Sequence, residues 1–304
     1  MQPMPPAHEP ARADEWGLFG PGSLSWRISR ESVLLLGGGR ALILQVAHPG
    51  VAAGVADHSN YREDPWGRAY RSVEAALKIA FGDAETSRAT AKRLRAVHAR
   101  VRGNDESGRP YSALDPELLM WVHATLFDTA LLIYDRYVDR LSEREKADAY
   151  RESTRMGEMY GIPRERQPAD YAAFRDYWSA MLNGGLRVTE TTRDVVDAVL
   201  NPPLPRLAWP AIEATRLVTV GTLPAQLRAE LDLPWGPGRE RLLTTAELAI
   251  RSLLPLVPDL VRSVPPARAA RRRVDAPRSP RVPSTEGSPG PSPFGGGGEL
   301  PQPR

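Results

Sequence analysis

Five histidines (His8, His48, His58, His98 and His123) are the chain's whole supply of neutral nitrogen ligands, and no cysteine joins them. The missing cysteine removes disulfides, cysteine-ligated zinc, iron–sulfur clusters, thiolate-ligated or covalently attached haem, and a thiol nucleophile. A metal must then rest on histidine, carboxylate or a weaker oxygen ligand. His98 sits in RLRAVHARVRG, where Leu94, Val97, His98 and Val101 repeat at i, i+3, i+4 and i+7 and predict an apolar helical stripe. Arg95 and Arg102 flank it at spacings of three and four, on nearly the same face of a helix running to Gly103. Inward-facing cations need anions. Haem propionates supply them, and so does an ordinary carboxylate. On spacing alone, His98 is either a metal or haem ligand or a structural imidazole facing a core.

The other candidates divide the same way. His123, in WVHATL, falls mid-helix in an apolar stretch, where an unpaired imidazole costs about 1–3 kcal/mol, so a hydrogen-bonded core histidine is expected. His48 precedes Pro49 and belongs at a helix boundary, and His58 falls in a polar loop. Arg68, Arg71 and Ser72 share one helical face, readable as a solvated basic edge or as a pocket wall. GGGR at 37–40 fails the dinucleotide fingerprint, because Leu42 stands where its last glycine belongs, and reads as a tight turn between helices. Di-iron chemistry needs paired Glu-x-x-His motifs. Arg95 precedes His98 by three residues and Met120 precedes His123 by three, so neither fits. No GxSxG elbow supports a serine hydrolase.

The elements that must position these side chains are helices. Asp115 caps DPELLMWVHATLFDTALLIYDRYVDRL, with Pro116 in its first turn, and the apolar circumference predicts a buried central helix. Ser142 and Glu145 form a capping box ahead of a helix closed by Gly161 and Pro163. RAYRSVEAALKIAFG ends at Gly82, and further helices start near Asp170, Thr191, Pro210, Pro224 and Arg239. Strand alternation is nearly absent. The expected fold is all-α: a single helical domain around a buried cofactor pocket, over residues 16–264.

Of 304 residues, 40 are Lys or Arg and 37 Asp or Glu. The basic excess is local, because residues 265–304 carry a net +4 and leave −1 for the rest. That distribution removes nucleic acid as an expected partner. RAARRR at 268–273 is either a weak contact for an anionic surface or part of a solvated, disordered end. Residues 275–304 hold eight Pro and six Gly, and 1–15 are Pro-rich without the apolar core of a signal peptide, so both tails are expected to be disordered. No uninterrupted run of eighteen apolar residues predicts a transmembrane segment, and a cytoplasmic location is expected.

Several segments, in order across about residues 16–255, resemble the DUF2236 family of MpaB-type oxygenases and latex clearing protein rubber oxygenases. They are LLLGGGRALILQVAHPGVAAGVADHS, DPWGRAYRS, KIAFG, RLRAVHARVRG, YSALDPELLMWVHATL, LSEREKADAYRESTRMGEMYGIP and VTVGTLPAQLRAELDLPW. The resemblance implies an all-α fold holding a non-covalent haem b, with O2 oxidising or cleaving carbon–carbon double bonds of apolar, isoprenoid-like substrates. It gives His98 the role of iron ligand, places Arg95 and Arg102 beside the haem, and makes Arg68, Arg71 and Ser72 a distal cluster. Rubber oxygenases carry Lys at the place of Arg71 and Thr at the place of Ser72. A guanidinium stays protonated and is a poor iron ligand, so a lysine-capped resting state does not carry over. His123 is expected to brace the pocket and His48 to line it. An electron donor is implied without being identified. A helical haem or lipid carrier without turnover, and a non-haem iron oxidoreductase on two histidines and a carboxylate, remain alternatives.

Overall fold

The apolar circumference around Trp121 places one helix where every other layer can bury against it. The computed structural model describes residues 17–275 apart from Arg62, Asp64, Pro203 and Leu204, and leaves out the side chains of Pro65, Trp66, Arg68, Ala69 and Arg206. Its helices are α1 (Leu24–Ser29), α2 (Gly38–Val46), α3 (Pro49–His58), α4 (Pro65–Phe81), α5 (Ala84–His98), α6 (Pro116–Tyr137), α7 (Glu143–Tyr160), α8 (Tyr171–Ala180) and α9 (Glu190–Leu200). They continue as α10 (Trp209–Thr222), α11 (Ala225–Glu230), α12 (Pro237–Leu253), α13 (Asp259–Arg262) and α14 (Pro265–Asp275). The fold is all-α, a single helical domain. Residues up to Val274 group into one unit. The expected tails at 1–15 and beyond 275, and with them His8, lie outside the described residues.

Capping follows the sequence closely. The Asp115 carboxylate accepts from the Glu117 amide at 2.8 Å, and Pro116 opens α6. Ser142 and Glu145 form the reciprocal capping box of α7, and Gly161 closes that helix at φ 96°, a conformation that a Cβ would strain. Helix α6 is the one described helix long and apolar enough to cross a bilayer, but Trp121, Ile133 and Tyr137 on it are fully buried by its neighbours. Trp121 donates to the Leu44 carbonyl at 3.0 Å and stacks on Trp178 at 5.4 Å, tying α6 to α2 and α8.

The glycines at 37–39 do more than turn the chain. Gly37 ends a 3-10 helix, and α2 starts at once, so a direct junction stands in place of the expected tight turn. A Cβ on Gly39 would lie 2.3 Å from Thr219 Oγ1 of α10. Bare backbone at this position lets α2 approach α10, which brings Arg40 inside. Gly39→Ala is expected to lower stability by about 1–3 kcal/mol, because the buried, β-branched Thr219 has little room to yield. Urea denaturation measures the loss.

Two boundaries differ from expectation. The helix carrying His98 stops at His98 rather than reaching Gly103. Arg102–Asn104 (β1) instead pairs antiparallel with Pro110–Ser112 (β2), with Arg102 opposite Ser112. The hairpin wins because Gly108 turns the chain at φ 78° and Tyr111 packs over Gly54 of α3. The folded body also passes 264. Residues 265–275 form α14, whose Ala267 and Ala270 are buried in one cluster with Phe19, Trp26 and Phe81. RAARRR is therefore helical, not a disordered end. Two alanines per three turns are enough to seat the helix while its arginines face water.

The C-terminal segment closes onto the start of the domain. Glu31, only 2% exposed, receives Arg262 Nε at 2.7 Å and Arg30 Nε at 3.3 Å. The Val264 amide donates to the Arg30 carbonyl at 2.8 Å.

Candidate active site

Helices α4 and α5 form an antiparallel hairpin about Gly82 and Asp83, whose carboxylate caps α5 through the Thr86 amide at 2.7 Å. At about 1.5 Å per residue, His98 at the end of α5 is level with Gly67 and Arg68 near the start of α4, roughly 22 Å from the turn. The fold thus brings the two ends of the hairpin to one place. His98 is half-buried, and its imidazole makes no hydrogen bond to any described residue. Desolvation is the one cause that holds its imidazole below the ordinary histidine pKa, so it is a neutral base at pH 7. Val97 and Tyr70 are exposed at the same end of the hairpin. Arg71 and Ser72 are exposed on α4, and the Arg68 side chain lies outside the described residues.

Arg95, one turn before His98, reaches the end of α7. A Cβ on Gly161 would meet its guanidinium carbon at 3.4 Å, so the cation lies on bare glycine backbone. It borders an open cleft of about 350 Å³ between α5 and α7, lined by Arg88, Ala91, Lys92, Arg95, Glu158 and Met159. Next to Gly161, the Tyr160 ring meets His123 of α6 edge-on at 5.9 Å. Burial pushes the Tyr160 phenol up to about 12.

His123 is buried, and its Nε2 has no hydrogen-bond partner among the described residues. The satisfied core histidine expected from sequence is therefore only half realised. Desolvation pushes its pKa down to about 4, with the Ser153 backbone acting weakly in the opposite direction. An unfolded histidine takes its proton near 6.5, whereas this one refuses it until about 4, so stability falls as pH drops through that window. The expected loss from this group between pH 7 and pH 5 is about 2 kcal/mol. Urea unfolding of wild type and His123→Phe at the two pH values checks it: the variant's slope should be shallower by that amount.

The remaining predicted residues go elsewhere. Arg102 lies on β1 with an exposed side chain, so it does not share a helical face with Arg95 and His98. His48 is the N-cap of α3, its Nδ1 accepting the Gly50 amide at 3.2 Å, which leaves Nε2 free to face the neighbouring groups. His58 ends α3 rather than sitting in a loop, with Nε2 3.2 Å from the Arg102 carbonyl. Beside Phe127 of α6 the space is filled by protein. Phe127 lies edge-on to Tyr150 at 5.5 Å and to Phe174 at 5.2 Å. Among the described residues no group of three His, Asp or Glu side chains gathers as a metal site.

Arg40 was missed. It is 4% exposed, donates to Asp128 Oδ2 at 2.6 Å, to Thr129 and to the Thr222 carbonyl, and lies 5.8 Å over the Trp178 ring. Its signal was the charged end of an otherwise apolar stretch, LLLGGGRALIL.

The model of the ER-bound oxygenase mpaB/B′ and rubber oxygenase catalytic domain matches residues 26–252, an interval that contains every one of these groups. The chain belongs to this family. Two curated relatives, uncharacterised proteins of Mycobacterium tuberculosis and Mycobacterium bovis, are each 30% identical over 223 residues, covering 69% of this chain and 86% of theirs. No solved structure gives a significant match. For a catalytic domain of the mpaB and rubber oxygenase family, the end of the α4–α5 hairpin and the adjoining end of α7 form the candidate active site, with α6 behind it.

Proposed function

We propose that the protein is a haem b-dependent oxygenase of apolar, olefinic substrates, with His98 holding the iron. The observation that carries the reading is His98 itself: a half-buried, uncharged imidazole with no hydrogen-bond partner among the described residues, at the end of a helix in an oxygenase catalytic domain. The surrounding side chains suit an anionic, planar, largely apolar group. Arg95 supplies a cation one turn away, Val97 and Tyr70 supply exposed apolar surface, and no carboxylate is among the groups that shift His98.

Bound haem supplies an iron at which O2 can be activated for attack on a carbon–carbon double bond. The protein's own part is to position and to exclude. His98 offers a neutral nitrogen lone pair, and burial lowers its pKa and so favours that neutral form. Arg95 on Gly161 provides a fixed positive charge for carboxylates such as propionates. Arg71 and Ser72 on α4, with Arg68, supply donors on the facing helix. His123, neutral and buried with Tyr160, keeps a free acceptor nitrogen behind the site.

The deciding measurement is the ultraviolet–visible spectrum of the protein as purified and after hemin titration, followed by O2 consumption with olefinic lipids under reducing conditions. A Soret band with substrate-dependent O2 uptake is expected. A Soret band without turnover across a broad olefin panel would make the protein a haem carrier. Iron without porphyrin absorbance would favour the non-haem alternative.

A further inference from the structure

Large exposed apolar side chains are concentrated at one end of the domain, away from the histidines. Leu253 is 59% exposed at the end of α12, Leu256 78% in the 3-10 turn Leu254–Leu256, and Leu260 and Val261 on α13 are 73% and 63% exposed. Trp209, 61% exposed, and Leu207, 94% exposed, stand at the start of α10. These two groups lie at a similar level of two neighbouring helices. A Cβ on Gly221, near the end of α10, would touch Trp235 and Leu243 at the start of α12, and Leu217 and Val218 share a cluster with Ile250. The two helices therefore run antiparallel. Trp209 lies about 18 Å back from Gly221 and Leu253 about 15 Å on from Leu243, which makes them level.

A basic helix sits against this apolar end. Ala267 and Ala270 anchor α14 in the domain, while Arg271 and Arg272 are exposed and Arg268 is half-buried. The Arg268 guanidinium donates to the Leu260 carbonyl, which places the cationic helix directly beside the exposed leucines. Residues 253–275 carry five Arg and two Asp. One of those acids, Asp259, is already engaged by Arg30 at 3.8 Å and by the Ser263 hydroxyl at 2.6 Å. The combination is a wet apolar rim with an amphipathic tryptophan and a flanking row of guanidinium groups. Leucine and tryptophan gain by entering the headgroup region, and arginines gain from anionic headgroups around it.

We infer that this end of the domain docks on an anionic phospholipid bilayer, with Trp209 and the 253–261 leucines at the acyl boundary and α14 on the headgroups. The inference goes beyond the oxygenase reading and is independent of haem, because it concerns a different end of the molecule. If both hold, the enzyme meets apolar substrates where they are dissolved.

Flotation of the full-length chain with vesicles tests it. Binding is expected to equimolar phosphatidylcholine and phosphatidylglycerol, to weaken as salt rises, and to be absent from pure phosphatidylcholine. Each arginine near an anionic surface contributes about a five-fold factor, so Arg268→Gln/Arg271→Gln/Arg272→Gln should lower the partition coefficient by roughly a hundred-fold. Leu256→Asp/Leu260→Asp should do the same with an unchanged melting temperature, as both side chains are exposed. Brominated lipids should quench tryptophan emission of wild type more than that of Trp209→Phe. No vesicle binding, binding indifferent to lipid charge, or binding unchanged in both multiple variants would overturn the inference. So would a concentration-dependent dimer, without vesicle binding, that Leu256→Asp/Leu260→Asp breaks, since the face would then cover a second copy.

Discussion

His98→Ala is expected to leave no Soret band at hemin concentrations that saturate the wild-type protein. Loss of groups that merely orient a ligand already weakens metal binding by about 10–100-fold, so losing the ligand itself should reach at least the upper end of that range. The variant tests chemistry and not folding. His98 is at the last position of α5 and half-buried, and its imidazole is hydrogen-bonded to no described residue, so its removal takes little from the packing. The far-ultraviolet circular dichroism of the variant should therefore match wild type. Free imidazole added to the variant should restore the band, because the vacated site accepts the same lone pair. His48→Ala should keep the band, since His48 serves as the cap of α3. If His98→Ala binds hemin as tightly as wild type, the assignment of the ligand is wrong.

The largest stability effect is expected at Arg40. Arg40→Ala removes a buried cation from Asp128, Thr129 and the Thr222 carbonyl together, with an expected loss of about 3–5 kcal/mol in urea unfolding. Burial depresses the Arg40 pKa and raises that of Asp128, and in both cases desolvation is the largest cause, ahead of the attraction between them. The pair is held at a net cost in solvation, so neither partner is comfortable alone. Arg40→Met/Asp128→Leu should accordingly lose less than the two single variants summed, and a double-mutant cycle measures the difference. A result in which the losses simply add would mean that Arg40 acts through Thr129 and Thr222 instead.

The helices were legible because their ends are written locally. Asp115 with Pro116, Ser142 with Glu145, and Gly161 each specify a terminus within four residues, and all three hold in the structure. The extent of α5 was not legible. The i, i+3, i+4, i+7 pattern through Val101 is real, but Val101 packs on Gly54 of α3 and β1 pairs with β2, contacts that a local period cannot reveal. Arg102 was placed beside His98 for that reason. The 268–273 arginines misled in the opposite sense, since composition says disorder, and two alanines finding a remote aromatic cluster say helix. Within the site, His98 could be picked out as a candidate from its own segment and the family likeness. Tyr160 and Arg40 could not, because what matters is the partner each one meets across the fold.

Glu31 waits for a residue 231 positions away, and this sets the order in which the molecule can be finished. As the chain is synthesised, α1 and everything after it can condense while that carboxylate still faces water or an unpaired interior. Only when Arg262 and Val264 emerge does the acid, until then held by Arg30 alone, acquire its second and closer cation, and the Arg30 carbonyl its amide. The clasp is thus a late, long-range step, of the kind that slows folding and leaves a nearly complete intermediate exposed. A chain released from the ribosome short of residue 262 would carry nearly the whole catalytic domain with this buried charge answered by Arg30 alone. Protein quality control, rather than lost chemistry, would decide the fate of such a product.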